Sequence, residues 1–127
     1  MSPLGLLYLL AAFLCVALGL AHSYLGERLI LMRLFRRPDL PKLFGGTEFT
    51  TRTLRFAWRL TSLTWCGIGA LFFLMAQGAI SNATVAATLS VVFLLSAGVT
   101  LVASRGRHFA WAVFLAVGLI ALYGSNA

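Results

Sequence analysis

A chain of 127 residues that is 61% hydrophobic and only 10% charged lies far from the composition of soluble domains, in which about 25% of residues are charged, and this excludes a water-soluble globular fold. Its net charge of +7 sits beside apolar runs, where positive charge sets membrane orientation and meets anionic lipid, so nucleic acid is not an expected partner. Cys15 and Cys66 both fall inside apolar runs, with neither Cys-x-x-Cys nor Cys/His zinc spacing, so the cysteines do not announce a zinc site.

The first membrane span is predicted over 3–24. Residues 4–21 carry no charge and no histidine, close to the ~20 residues that cross ~30 Å of hydrocarbon. Gly19-Leu20-Ala21 offers a small-x-small cleavage pattern, but the basic cluster follows the apolar run instead of preceding it, so the span is expected to be retained. Pro3 suits a first helical turn. Gly5, Tyr8, Ala12, Cys15, Gly19, His22 and Gly26 recur at alternating spacings of three and four. They form a seam of mostly small residues through which membrane helices approach closely, and His22 on that seam points into the bundle.

The connector, 26–55, is the charged strap of the molecule. Residues 27–59 hold all three acidic residues and eight of the ten basic ones. The strap is expected to begin as a continuation of the first helix over 27–37, with Arg28, Arg33, Arg36 and Arg37 on one half of a helical wheel and Ile30, Leu31, Leu34 and Phe35 on the other, which predicts an amphipathic segment lying in the membrane interface. Pro38 and Pro41 end it, Gly45-Gly46 makes a turn, and Thr47 is the expected cap of the next helix.

That helix is predicted from about residue 48, with 56–76 inside the membrane. Arg52, Arg55, Arg59, Ser62, Cys66, Gly69 and Phe73 continue the alternation of three and four, so a basic stripe runs into a small-residue seam. Glu48 stands one turn before Arg52 and is expected to pair with it, Trp58 suits an interfacial belt, and Arg59 is the most membrane-proximal charge. The third span, 83–103, carries a third seam of Ala83, Ala86, Ser90, Phe93, Ala97, Thr100 and Ser104. After Arg105, Gly106, Arg107 and His108, the fourth span, 108–124, is short for a bilayer. The expectation is one all-α domain over 1–127: a polytopic protein with four transmembrane helices in an up-down-up-down bundle and an amphipathic cytoplasmic connector. Ala112 and Ala116 on the last span leave a face for a homodimer or a membrane partner.

All ten basic side chains lie on one side, nine of them in the loops after spans one and three and Arg59 about one turn inside the second span. By the positive-inside rule these loops face the cytoplasm and both termini face out.

In a closed bundle the first helix neighbours both the second and the fourth, which would bring His22 to Arg59 on one side and His108 on the other. The first expectation is a non-enzymatic accessory protein whose Arg28, Arg33, Arg36, Arg37, Lys42 and Arg52 contact lipid headgroups or an acidic partner. The alternative is a ligand site of His22, Glu27, Arg55, Arg59 and His108, with haem b held by the two histidines as its sharper form. No catalytic residue is expected, because Gly-x-Ser-x-Gly, His-Glu-x-x-His and Walker patterns are absent. A small transporter is the weakest reading. Proton-coupled four-helix exporters are similar in size, but they use a membrane-embedded glutamate, and every span here lacks Asp and Glu at its middle.

The strings His22-Ser23-Tyr24-Leu25-Gly26-Glu27 and Leu54-Arg55-Phe56-Ala57-Trp58-Arg59-Leu60-Thr61-Ser62, followed by Trp65, resemble a pattern in a family of small four-helix bacterial membrane proteins to which no activity is attached. The likeness spans the end of the first helix, the connector and the start of the second. It implies a bacterial inner-membrane setting and leaves the role open.

Overall fold

The computed structural model describes residues 1–127. Four helices carry the fold: α1 (Pro3–Leu34), α2 (Glu48–Ala76), α3 (Asn82–Ser104) and α4 (Ala110–Asn126). The chain is all-α, and the one β-type pairing is an isolated bridge between Leu43 and Gly46.

Local chemistry places the helix ends. Ser2 caps α1 by accepting from the Gly5 amide at 3.0 Å, with Pro3 in the first turn, where its missing N–H costs nothing. Ser81 and Thr84 form a reciprocal capping box at the start of α3. The left-handed Gly78 (φ 64°) ends α2, and the next amide, of Ala79, closes back on the Leu74 carbonyl at 2.9 Å.

The sequence reads the start of the connector as a continuation of the first helix, and the structure continues that helix to Leu34. No break separates the first span from the amphipathic segment: α1 passes through a π-helical turn over Glu27–Leu31 in which the Met32 amide reaches back to the Glu27 carbonyl. Leu31 is buried, whereas its apolar neighbours Leu29 and Ile30 stay exposed.

One difference from expectation is the order of packing. The helices lie in a row, α1 on α2, α2 on α3 and α3 on α4, and no Cα of α1 comes within 8 Å of α3 or α4. The expected contact between the first and fourth helices is therefore not made. The reason is visible in α1, whose buried residues up to the π-helical turn, Gly5, Ala12, Gly19 and Gly26, form one seam with a period of seven. A single seven-residue stripe supports one left-handed helix contact, with none left for a second partner.

Along that seam the backbones nearly touch. A Cβ added to Gly19 would stand 2.9 Å from the Ser62 carbonyl oxygen, and one on Gly69 would stand 3.1 Å from the Ala12 carbonyl oxygen. Cys66 Sγ borders Gly19 and Cys15 Cβ borders Gly69, so both thiols pack in the seam and both are free.

Only 14 of 127 residues are buried, while leucines, valines and phenylalanines cover the outside. This distribution is compatible with a membrane protein. α1, α2 and α3 are long and apolar enough to cross a bilayer. The 17 residues of α4 span ~26 Å at 1.5 Å each, somewhat less than the ~30 Å of hydrocarbon.

Candidate anion site at the basic end

The fold gathers the two basic stretches at one end. Arg105, after α3, lies 3.6 Å from Glu48 at the start of α2, and the Arg107 guanidinium sits over the Phe44 ring of the connector.

The arginine stripe on α2 divides its work. Arg52 donates to Glu48 and, through a second nitrogen, to the Ala103 carbonyl at 3.1 Å, so it satisfies a free carbonyl in the last turn of α3. Arg55 clamps Glu27 of α1 with contacts of 2.7 and 3.1 Å and lies over the Phe35 ring. Arg59 makes no hydrogen bond, and its nearest carboxylate oxygen, on Glu27, is 4.0 Å away. Between α2 and α3 this stripe lines an open groove of about 470 Å³ with Glu48, Phe56, Val99 and Ala103. A second hollow of about 350 Å³ lies against α1, and Arg59 borders both.

His22 is not in the groove. Its ring stacks in parallel on Trp58 at 4.5 Å and takes the edge of Trp65 at 4.9 Å. The Trp58 indole N–H donates to the His22 backbone carbonyl at 2.8 Å, lying where any side chain at position 26 would have to go. The π-helical turn begins at the next residue, Glu27. Ser23 donates to Ser62 Oγ at 2.7 Å, and Ser62 Oγ and His22 Nδ1 share a hydrogen bond of 2.9 Å. His22 thus fastens α1 to α2.

His108 stands elsewhere. It lies parallel to Phe49 at 6.0 Å and edge-on to Phe56 at 5.2 Å, with Nδ1 accepting from the Ala110 amide. At 100° per residue, Trp58, Ser62 and Trp65 share one side of α2, whereas Phe49 and Phe56 point to the opposite side. The two histidines are therefore separated by the body of α2 and cannot ligate one haem iron, and no three His, Cys, Asp or Glu side chains converge as a metal site would need. The five residues of the alternative site are consequently split: Glu27, Arg55 and Arg59 meet, whereas His22 and His108 do not join them.

Arg33, Arg36 and Lys42 have no carboxylate partner. Arg37 pairs with Asp39 at 2.8 Å, and that hydrogen bond holds the Asp39 carboxyl below its ordinary range. The expectation of the sequence missed Trp58 as an anchor of α1. Its signal was the spacing of Trp58, Ser62 and Trp65 opposite a glycine at the end of the first seam. No family model, curated protein or solved structure matches the chain.

Proposed function

We propose that this chain is a four-span bacterial inner-membrane protein, α1 to α4 running up and down, whose basic end faces the cytoplasm and docks on anionic lipid headgroups as a small non-enzymatic accessory protein. The observation that carries this reading is the fate of the carboxylates. Asp39, Glu27 and Glu48 are all engaged by arginines, yet Arg28, Arg33, Arg36, Lys42 and Arg107 have no carboxylate partner within 4.0 Å, and Arg59 and Arg105 reach one only at 4.0 and 3.6 Å. This surplus lies at one end of an apolar surface, where each cation near an anionic leaflet contributes about 1 kcal/mol.

Reconstitution into vesicles tests it. Wild type should enrich phosphatidylglycerol over phosphatidylcholine in its lipid shell, and an R33Q/R36Q/K42Q variant should lose most of that enrichment. Equal enrichment in both proteins, or none in wild type, contradicts the reading. Co-purification of an acidic protein that depends on the same cations would instead assign the basic end to a partner.

A further inference from the structure

Among the surplus cations, two face the same hollow. Arg28 and Arg59 line the notch between α1 and α2 with Leu20, Ser23, Tyr24 and Glu27. We infer that this notch is a discrete binding site for the phosphate of one glycerophospholipid, a claim that rests on the membrane reading above and assigns it a place.

Charge is the first support. Neither Arg28 nor Arg59 spends a hydrogen-bond donor on the protein: Arg28 lies over the Tyr24 ring at 5.8 Å, and Arg59 stands 4.0 Å from Glu27. Glu27 is already held by Arg55 at 2.7 Å, so three arginines face one carboxylate and the cluster keeps a formal charge of +2. Guanidinium groups bind phosphate oxygens through paired N–H donors, a geometry that an ammonium lacks.

Depth is the second support. Arg59 is the charge nearest the uncharged stretch of α2, and Glu27 and Arg28 are the first charges after that of α1. Both arginines thus stand where hydrocarbon gives way to headgroups. About two turns of α1 below Arg28, Leu20 is 65% exposed, and Tyr24, at 63%, lies between them. A phosphate in the notch therefore places its acyl chains along apolar α1 surface. Inorganic phosphate would leave that surface unused. Arg55 and Arg52, by contrast, have their donors committed to Glu27, Glu48 and Ala103, which makes the larger groove between α2 and α3 the poorer phosphate site.

The test is native mass spectrometry of the full chain from mild detergent, titrated with phosphatidylglycerol, with diacylglycerol of the same chains, and with phosphatidylglycerol plus inorganic phosphate. Wild type should retain one phosphatidylglycerol per chain and no diacylglycerol. R28Q/R59Q should lower retention about tenfold or more, as expected for two charge-assisted contacts. R28K/R59K, which keeps the charge and guards against a folding defect, should fall in between. R33Q/R36Q/K42Q should keep the single lipid while losing bulk enrichment, so this proposal and the broader one fail separately. Unchanged retention in R28Q/R59Q, or equal retention of diacylglycerol, would overturn the site. Displacement by millimolar inorganic phosphate would reassign it to a soluble anion.

Discussion

The α1/α2 and α3/α4 interfaces solve the same problem by different means. Between α1 and α2, glycines bring backbone against backbone, and four hydrogen bonds cross: from Trp58 to the His22 carbonyl, from Ser23 to Ser62, between His22 and Ser62, and from Arg55 to Glu27. Between α3 and α4 a glycine again lets the helices close in, with Gly118 against the side chain and backbone of Leu94 and Phe93 beside Phe114, but no side-chain hydrogen bond crosses. The hydroxyls buried on α3 turn inward: Ser96 and Ser104 bond carbonyls of their own helix at 2.7 and 2.6 Å. Thr100 Oγ1 is buried with no hydrogen-bond partner. Van der Waals packing alone holds helices together when lipid offers no hydrophobic drive, but it does not fix register. Crossing hydrogen bonds do, and they are concentrated where the phosphate notch is built.

The contrast implies an order of effects. Largest should be Gly19→Leu, because the intruding atoms meet the Ser62 backbone carbonyl, which cannot rotate away. A loss of about 3 kcal/mol, at the upper end for overpacking, is expected in denaturation by sodium dodecyl sulfate. Gly118→Ala should cost less, about 1 kcal/mol, since it adds a single methyl, which meets the Leu94 side chain at 2.7 and 2.8 Å and its backbone nitrogen at 3.1 Å. An equal or larger loss at Gly118 would reverse the ranking of the two interfaces.

Next comes Ser62→Ala, which strips Ser23 and His22 of their shared partner. A loss of about 2 kcal/mol is expected for buried groups left unpaired, read in the same denaturation. Ser96→Ala, whose bond is local to α3, should change stability by less than about 1 kcal/mol. Glu27→Gln should weaken the exposed clamp to Arg55 by roughly 0.5 kcal/mol.

Smallest is the Arg37–Asp39 pair, both members of which are exposed. Because the folded Asp39 carboxyl is held below its ordinary range, its contribution is present above the unfolded carboxylate pKa and is lost as pH falls through the lowered folded value. A carboxyl carbon shift titration should place the Asp39 midpoint below that of the R37Q variant. Coincident midpoints would remove the pair from the account.

Much of this was legible in the residues themselves. Glycine and alanine at spacings of three and four announce the α1 and α2 seams, because only small side chains permit the approach observed, and the pairing of Glu48 with Arg52 follows from one helical turn. The row arrangement was hidden: a helical wheel shows which face is small, but not how many neighbours a helix will take, so His22 and His108 were expected to meet. The π-helical turn was equally hidden, since it is associated with Trp58, an indole 32 residues beyond Gly26 in sequence. Arg59 stood out from the start as the innermost charge. That it keeps its donors free while Arg52 and Arg55 spend theirs is a matter of tertiary geometry.

The sidedness of the basic end decides whether cytoplasmic headgroups are its ligand at all. With Cys15 and Cys66 replaced by alanine, single cysteines at Gly45 and at Ser125 can be exposed to a membrane-impermeant maleimide in intact bacterial cells. The account predicts labelling at Ser125→Cys and none at Gly45→Cys until the membrane is permeabilised. Labelling of Gly45→Cys in intact cells would put the arginines outside and contradict it.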